Sequence, residues 1–333
     1  MAKRNIAVMQ DGAIDELVSV MLLASMEDVS MFYIDILNAD CIAYPTYQVT
    51  QKMLKMIGQE MDGVFISDAR GWNPFPWTYR QYSMMVNLLP MVNGYKQDVP
   101  VPPPVAPQYS VDKLKAAKQA DSDFKVTFVV LSPLTDMAEI VSRLDNPADI
   151  IDSIIWMGGV YSENPDVLPT GNIDTGIAPG ANPNAEWNAY WDPYAVDTVL
   201  KSGVPFYMFP LNVTNDVLLT PEIIRQYFLA ESGTYPMLDL AAQMYATVAF
   251  EAGFSFWDSA TTAFVDRPDL FTIETKTMSI DTDLNPVKQG TIKLDPNGSP
   301  VNVATKINVQ GFYDYLTDQL KTLPVAGWPP GNE

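Results

Sequence analysis

The segment 5-NIAVMQDGAIDELVSVMLLAS-25 decides how the rest of the chain is read. Asn5 to Met9 is mostly apolar and stops at a Gln-Asp-Gly turn, the signature of a short buried strand. From Asp15 to about Ser25 the apolar Leu17, Val20, Met21 and Leu22 recur at helical spacing, so a helix follows the turn. The unit is β-loop-α, with Asp11 in its loop and Asp15 and Glu16 in the first turn of the helix. Acids in a first helical turn are favoured by the macrodipole at about 0.3–1 kcal/mol each, so on this segment alone helix stabilisation outweighs a chemical role.

The same alternation continues outward. Strand Val29 to Leu37 precedes helix Tyr47 to Ile57; strand Val64 to Ser67 follows; strand Lys125 to Val130 precedes helix Pro133 to Leu144; strand Ile151 to Met157 comes next. Such alternation predicts an α/β fold, doubly wound, with a mainly parallel central sheet and helices on both faces. Ligands of these sheets sit beyond the carboxyl ends of the strands. Long loops are expected at Gly71–Arg80 (GWNPFPWTYR), at Asp98–Gln108, where the proline run makes a stiff extended connector, and at Glu163–Asn184. Phe271–Ile280, Gly290–Leu294 and Val301–Ile307 read as strands, with Val309–Lys321 as a closing helix: a β-rich C-terminal appendage to a single domain, 1–333. The last residues from Pro324 onward read as frayed.

Composition removes whole classes of chemistry. The 333 residues carry a formal charge of −20, which disfavours nucleic acid and anionic membrane as partners. With no histidine at all, Ser-His-Asp and Cys-His mechanisms and His-ligated zinc are excluded. The one cysteine, Cys41, excludes an internal disulfide, so the cytoplasm is the expected compartment. Ile6 to Met9 is too short for a secretory h-region, and no apolar stretch approaches the length of a membrane span. Asn212-Val213-Thr214 then reads as loop sequence, not as a glycosylation site, and Gly158-Gly159 as a tight turn, because no P-loop lysine follows.

Carboxylates gathered at one strand end repel one another unless a proton or cation sits among them, and oxygen-only ligands select a hard ion. Other predicted strand ends add Asp40 and Met157-Gly158-Gly159, and Trp257-Asp258 falls at the end of a helical region. Together with Leu131-Ser132-Pro133-Leu134-Thr135-Asp136, Ala185-Glu186-Trp187-Asn188 and Asp192-Pro193, these form an ordered series along nearly the whole chain. The series resembles the nucleoside hydrolase family, with its opening D-x-D-x-G-x-D-D, its T-G-P-L-[ST]-N, its M-G-G, its A-E-[FW]-N and its late Trp-Asp. Asn73-Pro74-Phe75-Pro76 followed by Tyr79 and Arg80 is similar to the purine-specific branch, which has Trp where Tyr79 stands.

The resemblance implies hydrolysis of the N-glycosidic bond of ribonucleosides, purines foremost, with Ca²⁺ as cofactor. It makes Asp11 both a calcium ligand and the base that activates water, with Glu16, Asp258 and the Leu131 carbonyl as further ligands. Asp15, Asn172, Glu186 and Asn188 would hold the ribose, with Met157 packed beneath it, and Asp40 would lie near the base. Tyr79 and Trp257 would stack on the purine, and that stacking would replace a side-chain acid. A homodimer or higher homo-oligomer is a further expectation from the resemblance. The sequence departs from the pattern at Met9 and Asn212, where the family has Asp; at Glu16, for Asp; at Ala13 and Asp136, for Asn; and at Leu131, for Thr. Each lost acid near the metal would lower affinity by about 10–100-fold, which leaves a second class open: a ribose- or nucleoside-binding protein without turnover.

Overall fold

β1 (Arg4–Gln10) is flanked by β2 (Val29–Ile36) on one side and β4 (Val126–Leu131) on the other, both parallel to it. In this computed structural model, which describes residues 3–59, 61–94, 99–285 and 287–325, that strand lies within a nine-stranded sheet. The order is β3-β2-β1-β4-β5-β6-β9-β7-β8, the remaining strands being β3 (Val64–Ile66), β5 (Ile151–Met157), β6 (Phe206–Phe209), β7 (Phe271–Ile280), β8 (Ile292–Leu294) and β9 (Ser299–Ile307). Sequence order reverses between β1 and β4, which places a crevice beyond their carboxyl ends.

The inner strands β1, β4, β5 and β6 are largely buried on both faces, as a sheet covered by helices on each side requires, whereas most of β7 at the far edge is not. Ile6 and Val8 of β1 face one apolar layer, with α1 (Ile14–Ser25), α2 (Ala43–Met56) and the helix Pro236–Ala246, while Ala7 and Met9 face the other. That second layer includes Met137 and Ile140 of the helix Thr135–Ser142 and Val196 and Val199 of the helix Pro193–Leu200.

The β-rich tail is the far edge of the same sheet. β9 runs parallel to β6 through Tyr207–Asn302 and Met208–Val303, and antiparallel to β7, which pairs with β8. β6 and the helices Gln108–Ala120 and Pro193–Leu200 have no counterpart in the expectations from sequence. Trp257 and Asp258 open the helix Trp257–Ala263 instead of ending one, a placement that matters for the site. Val105 pairs with Ser67 in an isolated parallel bridge, in keeping with an extended proline segment; Asp98 and residues 326–333, on which most of the expected fraying falls, lie outside the described residues. No helix among the described residues is long and apolar enough to cross a membrane.

Candidate active site

β1 ends at Gln10, and the chain turns through Gly12 at φ +93° to enter α1. A Cβ at Gly12 would stand 2.1 Å from Thr46 Oγ1, so the turn admits only glycine and brings Asp11 against the loop after β2. Asp11 Oδ2 accepts the Asp40 amide at 3.1 Å, and its carbonyl accepts the Cys41 amide at 2.9 Å. Glu16 Oε1 accepts the Ala13 amide at 3.2 Å, and Glu16 Oε2 is buried without a partner.

Asp15 is held from the far end of the chain. Its Oδ1 accepts the Tyr245 hydroxyl at 2.5 Å and the Ser259 hydroxyl at 2.7 Å; its Oδ2 accepts the amides of Asp258 at 2.6 Å and Ser259 at 2.9 Å. The start of the Trp257–Ala263 helix is thereby locked onto α1, and Asp258 is brought beside Glu16 and Asp11.

On the opposite wall Glu186 caps the helix Trp187–Trp191. Its Oε1 accepts the Asn188 amide at 2.9 Å and its Oε2 the amides of Gly159 at 2.8 Å and Ala189 at 3.2 Å. Asn188 donates to the Met157 carbonyl at 3.1 Å, and Asn172 Oδ1 accepts the Trp187 amide at 3.1 Å. Gly159, at φ +80°, would set a Cβ 2.4 Å from Ile292, so the turn after β5 also requires glycine. The loop carrying Tyr79 is tied to the turn after β2 by Arg80, which donates to the Ala39 carbonyl at 2.5 Å and to Asn38 Oδ1 at 2.7 Å. Trp257 donates to Asn215 Oδ1 at 2.8 Å and packs on Phe254 with ring centres 4.7 Å apart.

These elements enclose a cavity of about 220 Å³. Asp11, Asp15, Glu16, Asp40, Tyr79, Met157, Asn172, Glu186, Asn188, Trp257 and Asp258 all line it. Leu131 does not: it is the buried last residue of β4, in register with Gln10. Tyr82 and Glu251 line the cavity too, without any sequence signal that pointed to them. Two departures from the motif pattern serve structure. Met9 is buried in the apolar layer away from α1, and Asn212 exchanges hydrogen bonds with the amide and carbonyl of Tyr161 at 3.1 and 2.8 Å, clamping the segment after β5.

The electrostatics are those of acids crowded in a dry site. Burial lifts Asp11 to about 6, opposed by hydrogen bonds from Glu16 and the Asp40 amide. Glu16 stands well above the carboxylate range through burial and then the charges of Asp258 and Asp11; Asp258 is raised the same way by burial and by Asp15 and Asp11. Burial takes Glu186 to about 7 against three backbone amides. Asp258 Oδ1, like Glu16 Oε2, is buried without a hydrogen-bond partner. Unpartnered carboxylate oxygens that raise one another's proton affinity suit a hard cation. Among the described residues no three acids are already gathered as a complete cage.

The model of the inosine-uridine preferring nucleoside hydrolase family matches residues 6–314. The chain belongs to that family. The family's non-specific ribonucleoside hydrolase RihC of Escherichia coli is 30% identical over 205 residues, covering 60% of this chain and 62% of the relative. The chain thus spans about 62% of the length of the curated relatives it matches. The crystal structure of an inosine-uridine preferring nucleoside hydrolase from Bacillus anthracis superposes with a TM-score of 0.83 at 29% identity, covering 96% of this chain and 99% of that one. A purine-preferring ribonucleoside hydrolase from Gardnerella vaginalis shares the fold at 18% identity, with a TM-score of 0.69 over 96% of this chain and 99% of its own.

Proposed function

We propose that this protein hydrolyses the N-glycosidic bond of ribonucleosides, purines foremost, releasing free base and ribose with the help of Ca²⁺. The observation that carries the reading is the convergence of Asp11, Glu16 and Asp258, with two orphaned oxygens, at the β1 end of a cavity whose far wall is the Glu186–Asn188 frame. Asp11, Glu16 and Asp258 would hold the ion, with the Leu131 carbonyl as the proposed backbone ligand. Bound there, a divalent cation supplies Lewis acidity and offsets the mutual repulsion of the acids.

Asp11 takes the proton from the attacking water, a task a buried carboxylate can perform near neutral pH. Asn172, Glu186 and Asn188 position the ribose, with Met157 beneath it. Asp15 faces the sugar with a carboxylate fixed by four protein donors. Positive charge builds on the sugar as the bond breaks, and the buried acids around the ring stabilise it electrostatically. Tyr79 and Trp257 stack on the departing base, and Asp40 lies beside it. The described sheet is continuous from β3 to β8, which supports one domain over 1–333.

The incomplete acid cage favours one alternative, a nucleoside-binding protein without turnover. Ribose release from inosine, adenosine, guanosine, uridine and cytidine, with Ca²⁺ and with chelator, separates the two readings. Chelator-sensitive release that disappears in Asp11→Ala supports the hydrolase. Nucleoside binding without release, by folded protein in calcium, supports the alternative.

A further inference from the structure

Where Asp40, Tyr79, Tyr82 and Glu251 line the cavity, several donors are already engaged. The Tyr82 hydroxyl donates to both oxygens of Glu251 at 2.9 Å, which fixes that carboxylate at the cavity wall. Tyr82 is itself buried, so the pair is anchored in the fold, although Glu251 sits on an exposed turn. Asp40, Tyr79 and Glu251 lie within electrostatic reach of one another, which places the second carboxylate and the stacking ring in the same part of the cavity. Arg80 is the nearby cation, and its guanidinium is committed to Ala39 and Asn38; the Trp257 indole N–H is committed to Asn215.

We infer that Glu251, oriented by Tyr82, sets base preference in favour of nucleobases that present an exocyclic amino group over their oxo counterparts. This rests on the proposed nucleoside-cleaving function and deepens it. An ionised carboxylate only accepts hydrogen bonds. An amino group on adenine or cytosine gives it a second donor beside the Tyr82 hydroxyl, whereas the carbonyl oxygen of hypoxanthine or uracil sets lone pair against lone pair. Sites built to pair with a specific polar group reject the analogue that lacks it far more strongly than apolar pockets reject a change of size.

Two matched pairs test this, adenosine against inosine and cytidine against uridine, each scored as a ratio of kcat/KM. The expected ratio is about tenfold or more in favour of the amino base. Glu251→Gln, which offers an amide donor in nearly the same shape, lowers it by about tenfold, and Tyr82→Phe lowers it less. Glu251 lies on a turn, so the variant is expected to fold, and its thermal transition checks this. Wild-type ratios at or below one in both pairs, or ratios unchanged in folded Glu251→Gln, overturn the inference while leaving hydrolysis intact. If no nucleoside is cleaved, the proposed function fails instead. The ratios are then read from dissociation constants for the same four nucleosides by tryptophan fluorescence, with the same two outcomes.

Discussion

Tyr245 and Asp15 are 230 residues apart in the chain, yet the tyrosine hydroxyl donates to the Asp15 carboxylate at 2.5 Å where neither side chain meets solvent. Ser259 and the amide of Asp258 complete the contact, so one carboxylate on α1 fixes the entry of the helix that bears Asp258. Removing a hydrogen bond to a buried charged group costs about 1.5–3 kcal/mol. Tyr245→Phe is therefore expected to lower unfolding stability by that amount in urea titrations. It is also expected to weaken calcium binding, measured by calorimetry, because Asp258 loses its fixed position. Full stability with unchanged calcium affinity would show the contact to be dispensable.

Calcium itself is expected to raise the melting temperature. Glu16 and Asp258 hold protons well above the ordinary carboxylate range because of burial and mutual charge, so cation binding must displace protons. Calcium-induced stabilisation, followed by calorimetric melting with and without chelator, should be larger at pH 8 than at pH 5. Equal shifts at the two pH values would contradict proton-linked binding by these acids.

Asp11→Asn should preserve nucleoside binding while reducing turnover by about a thousandfold or more, since general-base catalysis contributes roughly 10²–10⁴-fold and a cation ligand is weakened besides. Single-turnover assays at saturating nucleoside and calcium check this. Turnover within tenfold of wild type would move the base elsewhere.

Asp35 and Asp136 form a second acidic pair, on the sheet face away from α1. Both oxygens of Asp35, and Oδ2 of Asp136, are buried without partners; Asp136 Oδ1 accepts the Ser67 hydroxyl at 2.6 Å. Burial raises both, with Asp136 reaching about 7 and Asp35 raised further by the charge of Asp136. The folded state thus binds more protons than the unfolded chain from about pH 4 upward, and stability falls as pH rises through about 7. Asp35→Asn should cancel part of that slope. It should be more stable than wild type at pH 8 by about 1–3 kcal/mol, with the gap closing near pH 4. Parallel urea melts across pH decide the matter, and identical slopes would reject the assignment.

Met9 lies in register with Asp35, within an apolar layer that includes Phe65 and Val130. Restoring the family's acid by Met9→Asp would add a third carboxylate to that face. The expected result is a loss of about 2–4 kcal/mol with no gain in calcium affinity. A gain in affinity would mean that Met9 is a true loss from the metal surroundings.

The N-terminal half of the fold was legible because its strands and helices are separated by strong punctuation. Asn5–Met9, Val29–Leu37 and Ile151–Met157 each end at turn residues, and their apolar content matches two-sided burial. β6 was missed because Phe206–Phe209 is four residues long, and a run that short carries no periodicity. The cavity-lining acids were legible through motif order, which records shared ancestry more than local physics. Glu251, Tyr82 and Tyr245 were not legible, because their parts depend on contacts across 169 to 230 residues that no local pattern encodes. Trp257–Asp258 was assigned to the wrong end of a helix because the N-terminal cap there is supplied by Asp15, from the other end of the chain.

That distant cap also bears on how the protein is made. Asp15 leaves the ribosome early, but the amides and hydroxyls that satisfy it follow 230 to 244 residues later. During synthesis Asp11 of the turn after β1 and Asp15 and Glu16 of α1 must remain hydrated, and the layer around α1 cannot close over them. The nascent chain therefore cannot assemble a working centre from its first four strands, and a fragment released before residue 259 would carry Asp11, Asp15 and Glu16 without the full set of partners that bury them.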